Sequence, residues 1–234
     1  MINKITLESL VIVAKAIEGL GRSAVFAGGA VTPFLITDSA SARPRPTKDV
    51  DIIVSTDTRR DYYRLEDELR KRGFSQVMEE DAPLCRWKIK DVLVDVMPAK
   101  DDILGFTNRW YGPALENAES LELEDGLFID LISAPYFLAT KIEAFSSRGN
   151  DDYLASHDME DIITVIDGRE EIVAEILQSP EDLRSYLKEK FRDYLANDDF
   201  ILCISGHLLP DQASQSRVPI VLKRIEEIAK AMRT

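Results

Sequence analysis

The sequence predicts an α+β fold: a mixed β-sheet with flanking helices, followed by a C-terminal helical region. Two observations support this prediction. Short runs of β-branched and apolar residues, bounded by turn residues, recur up to about residue 130. Beyond that point the apolar residues recur mostly at the spacing of amphipathic helices. Strands that precede helices, rather than alternating with them, are typical of the α+β class. We therefore expect two domains, residues 1–130 and 131–234.

The pattern also predicts the order of the elements. In the first domain we expect helices at 7–20, 30–36 and 57–72, strands at 24–27, 49–55, 74–78, 84–89 and 92–97, and a small hairpin over 121–129. Lys90 and Asp91 form a tight turn between the strands 84–89 and 92–97. The segment 108–117 is ambiguous. In the second domain we expect helices at 133–148, 171–178, 181–196 and 220–232, with a further helix that begins near Asp158.

Composition and charge limit the classes of function. The 234 residues are 45% hydrophobic and 30% charged, which is ordinary for a soluble globular protein. Charged residues interrupt the apolar N-terminal segment, so we expect neither a signal peptide nor a membrane partner. A net charge of −13 argues against non-specific DNA binding. Cys85 and Cys203 are too few for a disulfide framework, which favours a cytoplasmic location.

Three aspartates are the strongest candidates for chemistry. Asp49 and Asp51 open the predicted strand 49–55 and share one of its faces, because side chains alternate along a strand. Asp95 interrupts the strand-like run 92–97 in the same way. Neighbouring carboxylates repel each other unless cations neutralise them. Carboxylate oxygens are also the ligands that hard divalent cations prefer. The pattern therefore predicts a site for Mg²⁺ or Mn²⁺ at Asp49, Asp51 and Asp95.

A glycine pair and a basic segment lie near these acids in the sequence. Gly28 and Gly29 end the first predicted strand and precede a predicted helix, an arrangement that lets the backbone approach a phosphate. Thr47 and Lys48 come directly before Asp49, and we expect both to contact a nucleotide. The role of the loop 38–46 is not predicted, since its Arg43 and Arg45 suit a solvated loop at least as well as a phosphate site.

The second domain adds four charged candidates. Lys141 and Arg148 fall inside the apolar arc of the helix 133–148. A lysine in a buried stripe either extends to water or meets an anion, and the candidate anions are aspartates or nucleotide phosphates. Asp158 and Asp161 stand at the start of the next helix. Asp158 suits an N-cap and Asp161 a first-turn acid, and both also remain candidates for nucleotide binding.

The glycine pair, the Asp-x-Asp motif and the later strand aspartate resemble the nucleotidyltransferase fold of the DNA polymerase β superfamily. The lysine-bearing helix, the Arg-Gly-x-Asp-Asp stretch that begins at Arg148 and the Asp-x-x-Asp stretch that begins at Asp158 are similar to the later motifs of the AbiEii-type toxin nucleotidyltransferases. The gap between Gly29 and Asp49 is longer than in the compact members of the superfamily.

The resemblance implies that an NMP is moved from an NTP to a hydroxyl of tRNA or protein, with two metal ions and release of pyrophosphate. It also implies a role as the toxin of a toxin–antitoxin or phage-defence system, with an antitoxin as partner. Roles follow for the acids Asp49, Asp51 and Asp95 at the metals, for Gly28, Gly29 and Lys48 at the triphosphate, and for Lys141 as a catalytic cation. The acceptor and the preferred NTP are not predicted.

Two other functions suit part of the pattern. A metal-dependent nucleotide-sugar glycosyltransferase also uses an Asp-x-Asp motif, although that motif alone explains neither the glycine pair nor Asp95. A non-catalytic nucleotide-binding or regulatory module would keep the fold without turnover, but the retention of all three acids argues against it.

Overall fold

A computed structural model of the chain describes residues 3–47, 49–79, 82–100, 103–105, 108–149 and 151–230. The chain forms two compact units. The first contains Met1–Val31 and Arg45–Ser133, and the second contains Thr32–Pro44 and Ala134–Thr234. A mixed sheet in the first unit and helices in the second confirm the predicted α+β class.

Seven strands of the first unit form one sheet, in the order β3-β4-β5-β2-β1-β7-β6. The strands are β1 (Ala24–Ala27), β2 (Asp49–Val54), β3 (Ser75–Gln76), β4 (Arg86–Ile89), β5 (Val92–Pro98), β6 (Glu119–Glu124) and β7 (Leu127–Leu131). β2 runs parallel to β5 and antiparallel to β1, while β1 runs parallel to β7. The sheet is therefore mixed, with β2 at its centre.

Eleven α-helices lie in the described ranges. They are α1 (Lys4–Ile17), α2 (Thr32–Leu35), α3 (Arg59–Lys71), α4 (Tyr111–Glu116), α5 (Ala134–Arg148), α6 (His157–Gly168), α7 (Ile172–Gln178), α8 (Glu181–Leu195), α9 (Asp198–His207), α10 (Gln212–Gln215) and α11 (Val218–Lys230). The predicted helix 30–36 is instead a 3-10 turn at Gly29–Val31 followed by α2. The ambiguous segment 108–117 contains α4. None of the helices in the described ranges has the length and hydropathy of a membrane span.

The buried face of the central strands explains why the sheet forms here. Val50, Ile52 and Val54 are fully buried on one side of β2, and α1 contacts both β2 and β5. α3 begins at Thr58, whose hydroxyl accepts a hydrogen bond from the backbone N–H of Asp61, as is typical of an N-cap. Its Tyr62 hydroxyl donates to the carbonyl of Val96 on β5 at 3.0 Å. The apolar face of the sheet is thus packed, and the acids are left to the other face.

The helical unit includes the loop whose role the sequence did not predict. The backbone N–H groups of Thr37 and Asp38 donate to the carbonyl of Gly168 at the end of α6. The Arg217 guanidinium binds Asp38 at 2.6 Å and Asp167 at 2.7 Å, and all three side chains are largely buried. Two hydrogen bonds lower the pKa of the Asp38 carboxyl: the larger effect comes from the backbone N–H of Ala40 and the next from Arg217. The segment Thr32–Pro44 is therefore anchored to the helices of its own unit.

Candidate active site

Asp49, Asp51 and Asp95 lie on the same face of the sheet. In β2 the burial alternates, with Asp49 and Asp51 half-buried and Val50 and Ile52 buried on the opposite face. β5 shows the same alternation around Asp95. The parallel register of these two strands pairs Asp51 directly with Asp95, and Asp49 comes one step earlier on the same face. Residues paired across a ladder project to the same side of the sheet, so the three carboxylates form one cluster, which we call the carboxylate cluster.

Thr47 positions the first acid of the carboxylate cluster. Its hydroxyl lies 2.9 Å from Oδ1 of Asp49 and 2.9 Å from the backbone carbonyl oxygen of Asp49. Thr47 itself is buried. A hydroxyl fixed beside a carboxylate limits the rotation of the acid, so a role for Thr47 in orienting Asp49 is favoured by these contacts. Lys48, predicted to contact the nucleotide, lies outside the described residues.

Gly28 leaves the space that the Asp51 carboxylate occupies. A Cβ atom added at Gly28 would lie 1.7 Å from Oδ2 of Asp51, far inside van der Waals contact. Gly28 also has a φ of +67°, a conformation that L side chains rarely adopt. Gly29 follows as the first residue of the 3-10 turn. The sequence suggested a glycine at this turn for close approach of a phosphate, and the geometry adds close approach of the acid.

A Gly28→Ala substitution is expected to destabilise the protein more than a Gly126→Ala substitution. Gly126, in the turn between β6 and β7, has a similar φ of +76° but nothing within 4 Å of an added Cβ. Both variants incur the cost of a left-handed alanine, about 1–2 kcal/mol. Only Gly28→Ala must also displace Asp51. Urea denaturation of both variants measures the difference, and equal losses would contradict the role of Gly28 in seating Asp51.

Arg86, which is not among the residues predicted from the sequence, contacts the carboxylate cluster directly. Its Nε and Nη2 atoms donate to the two carboxylate oxygens of Asp95 at 2.8 and 2.7 Å, and Nη2 lies 4.0 Å from Oδ2 of Asp49. The hydrogen bond with Asp95 is the main cause that raises the pKa of Arg86. The signal was present in the sequence. The two-residue turn Lys90-Asp91 fixes the register of β4 on β5, and counting back along this hairpin places Arg86 opposite Asp95.

The donor set of the carboxylate cluster suits a divalent cation. Three carboxylates supply hard oxygen ligands from adjacent strands, and Gly28 leaves the space in which the Asp51 carboxylate lies. Within the described part of the chain, no three acidic, histidine or cysteine side chains converge as a ready metal cage. The Asp95 carboxylate faces Arg86 instead. The three side chains therefore suit Mg²⁺ or Mn²⁺ by their chemistry, and in this structure the cation beside Asp95 and Asp49 is the Arg86 guanidinium.

The four charged candidates of the helical unit contact one another. The Lys141 ammonium lies 2.6 Å from Asp161 and 3.1 Å from Asp158. Arg148 at the end of α5 donates to both carboxylate oxygens of Asp158, at 3.0 and 3.1 Å. Lys141, Asp158 and Asp161 have side chains only 12%, 7% and 3% exposed. The anions that Lys141 meets in its own unit are thus the two aspartates of α6.

Of the two roles that the sequence allowed for Asp158, N-cap and nucleotide contact, the structure excludes the N-cap. Ser156 is the N-cap, and its hydroxyl accepts a hydrogen bond from the backbone N–H of Met159. Serine is as good a cap as aspartate, and its position sets the start of α6 two residues earlier. Asp158 then lies in the first turn and points to Lys141 and Arg148. Burial alone would raise the pKa of Asp158, but these two cations lower it below its ordinary value.

The two loop arginines differ in their surroundings. Arg43 is exposed, whereas Arg45 is half-buried just before Thr47.

The two cysteines are buried and free, and burial is the main cause that raises the pKa of each thiol to about 12. Neither thiol is therefore a nucleophile at neutral pH.

No protein-family model matches the chain, and no curated protein matches it. Several solved structures are similar in fold. An antigenic nucleotidyltransferase-like protein from Paracoccidioides brasiliensis is 19% identical, with a TM-score of 0.48 over 88% of this chain and 94% of that one. The antibiotic-resistance factor ANT(2'')-Ia is 14% identical, with a TM-score of 0.48 over 81% and 95% of the two chains. JHP933 from Helicobacter pylori is 12% identical, with a TM-score of 0.49 over 98% and 94%.

Proposed function

We propose that the protein is a metal-dependent nucleotidyltransferase, which moves a nucleoside monophosphate from an NTP to an acceptor hydroxyl. The observation that carries this proposal is the carboxylate cluster: Asp51 and Asp95 are register partners on parallel strands, Asp49 shares their face, and Gly28 leaves room for Asp51. Acids on adjacent strands at the centre of a mixed sheet are well placed to hold a divalent cation against the phosphates of a nucleotide.

Asp49, Asp51 and Asp95 would hold Mg²⁺ or Mn²⁺. When bound, such an ion supplies charge neutralisation at the phosphate oxygens and lowers the pKa of a coordinated hydroxyl. Asp95 would accept the proton of the acceptor hydroxyl while the oxygen of that hydroxyl forms a bond to the α-phosphorus. The bond from the α-phosphorus to the bridging oxygen breaks, and pyrophosphate leaves. Thr47 supports the orientation of Asp49 through the contact at 2.9 Å.

The phosphates of the NTP would meet backbone and basic groups near the carboxylate cluster. Gly28 and Gly29 stand at the end of β1, where the 3-10 turn begins, and a turn of this kind exposes backbone N–H groups to an anion. Lys48 completes the proposed phosphate contacts on the basis of its sequence position. Lys141 enters the proposal as the cation that stabilises the leaving pyrophosphate, a role implied by the resemblance.

The burial and pairing of Asp158, Asp161 and Arg148 also have an explanation that requires no nucleotide. Arg148 and Lys141 both bind Asp158, and Lys141 also binds Asp161, so two cations and two acids balance one another. This balance favours a structural role for Asp158 and Asp161 alongside the nucleotide contact proposed for them and for Arg148.

An acceptor on tRNA or protein, a cytoplasmic location and an antitoxin partner complete the proposal.

Transfer from labelled NTPs tests this function. The protein is incubated with Mg²⁺, total cellular RNA or protein, and each NTP labelled either at the α- or at the γ-phosphate. We expect an acceptor pool to gain label from α-labelled NTP only, with labelled pyrophosphate released from the γ-labelled form. EDTA should abolish the transfer because the carboxylates cannot activate the phosphate without a cation.

The same experiment separates the competing functions. A glycosyltransferase would label no pool from an NTP but would transfer sugar from a nucleotide sugar. A non-catalytic module would bind a nucleotide without labelling any pool. Absence of label from all four NTPs, with RNA and with protein, would contradict the proposal.

A further inference from the structure

The contact between Arg86 and Asp95 uses both oxygens of the acid. The two hydrogen bonds, at 2.8 and 2.7 Å, form the parallel bidentate arrangement that is the strongest pairing of a guanidinium with a carboxylate. The acid is poorly solvated, with a side chain only 13% exposed. Within the metal-free protein Asp95 therefore needs a counterion, and Arg86 provides it.

Arg86 stands close to a second acid as well. Its Nη2 atom lies 4.0 Å from Oδ2 of Asp49, which belongs to β2, whereas Asp95 belongs to β5 and Arg86 to β4. One guanidinium thus faces acids from two strands on the face where a divalent cation would bind. The Arg86 side chain is 26% exposed, so solvent reaches it. Moving the guanidinium towards solvent would therefore not expose a fully buried side chain.

We propose that Arg86 and a divalent cation compete for Asp95, so that Arg86 sets the metal affinity of the carboxylate cluster. Without metal, Arg86 neutralises Asp95 and stabilises the folded sheet. A cation that takes Asp95 as a ligand must weaken the bidentate pair, because both carboxylate oxygens are engaged in it. The inference rests on the metal site of the proposed function and adds its regulation.

Competition has two opposite consequences when Arg86 is removed. The metal-free protein should lose stability, because Asp95 and Asp49 then lose the guanidinium beside them. The affinity for a divalent cation should rise, because the cation no longer displaces a charge-assisted hydrogen bond. Such bonds are worth enough for a gain of roughly tenfold or more in affinity. A purely structural arginine would produce the first effect alone.

Mn²⁺ alone is a suitable probe, since the electron paramagnetic resonance signal of the free ion reports binding without any NTP. We would titrate Mn²⁺ into the full-length wild type, Arg86→Met and Lys88→Met. Lys88 is the matched control, because it lies two residues further along β4 on the same face and its ammonium lies 3.8 Å from the exposed turn residue Asp91. Lys88→Met removes the same charge, so its effect measures long-range electrostatics alone.

We expect Arg86→Met to bind Mn²⁺ roughly tenfold more tightly than wild type, and Lys88→Met to stay near wild type. Asp51→Asn in the Arg86→Met background should remove the gain, which would place the ion at the carboxylate cluster. The melting temperature of Arg86→Met should be lower than that of wild type without metal and should rise more steeply on adding Mn²⁺. If Arg86→Met does not fold, Arg86→Lys decides, since lysine keeps the charge but not the bidentate bond and should still tighten Mn²⁺ binding.

Mn²⁺ binding by Arg86→Met and Arg86→Lys that is no tighter than by Lys88→Met would overturn the competition, even if NTP transfer is observed. Tighter binding in a protein that transfers no NMP would leave the competition standing and remove the proposed function. Absence of Mn²⁺ binding in all variants would remove both.

Discussion

Replacing Asp51 by asparagine is expected to abolish NMP transfer while leaving the protein folded. Asparagine keeps the shape that Gly28 accommodates but removes the charge opposite Asp95. A metal ion contributes several kcal/mol to the stabilisation of a phosphoryl-transfer transition state. Because each 1.4 kcal/mol or so is a tenfold change in rate, we expect the rate to fall by at least about a thousandfold.

The matched control for Asp51→Asn is Asp91→Asn. Asp91 lies in the turn between β4 and β5, and its side chain is fully exposed. This substitution removes the same charge from the same unit and should change neither the transfer rate nor the circular dichroism spectrum. Transfer by Asp51→Asn within about tenfold of the wild-type rate would contradict a catalytic metal at the carboxylate cluster.

Lys141→Met is expected to cause a large loss of stability in the helical unit. Methionine keeps the apolar stem, but Asp161 and Asp158 lose an ammonium at 2.6 and 3.1 Å in a nearly buried site. Removing one partner of a buried ion pair costs about 3–5 kcal/mol. Lys223→Met is the control, because Lys223 forms an exposed pair with Glu227 on α11 that is worth less than about 1 kcal/mol.

The effect of Lys141→Met should depend on pH. The cations around Asp158 lower its pKa below the value of 3.8 expected for the unfolded chain. Their contribution to the free energy of unfolding is therefore present above about pH 3.8 and is lost as the pH falls through the lower folded-state pKa. The difference between wild type and Lys141→Met, measured by urea denaturation, should shrink in that acidic range.

A small and pH-independent loss in Lys141→Met would show that the pair with Asp158 and Asp161 adds little. The double variant Lys141→Met/Asp161→Asn should recover part of the stability, because the buried acid left alone is then neutral. Transfer activity measured on the same variants tests the separate proposal that Lys141 acts on the leaving pyrophosphate.

The sequence predicted the strands around the carboxylate cluster because they obey local rules. The alternation in β2 and β5 placed Asp49, Asp51 and Asp95 each opposite an apolar face, and the Lys90-Asp91 turn marked the hairpin correctly. Arg86 escaped because its contact depends on the register across that hairpin rather than on its own strand. Predicting this contact required pairing the residues of β4 with those of β5 from the position of the turn.

The partners of Lys141 could not be chosen from the sequence alone. The apolar arc of α5 predicted an anion for this lysine, but the choice between the aspartates of α6 and the phosphates of a ligand depends on how two helices pack. The start of α6 at Ser156 rather than Asp158 was a choice between two good caps, and the structure places Ser156 there. The contacts of Asp38 with Arg217 are longer still in range and leave no local signal.

The anchoring of Asp38 has a consequence for the synthesis of the chain. Asp38 and Arg217 are 179 positions apart, and ribosomes add about 5–20 residues per second. Arg217 is therefore synthesised roughly 10–35 s after Asp38. During that time Asp167 has also been made and lacks the same cation. The segment Thr32–Pro44 therefore cannot complete its contacts while only its neighbours in the sequence have been synthesised. A nascent chain that stops before Arg217 therefore leaves the carboxylates of Asp38 and Asp167 without their guanidinium.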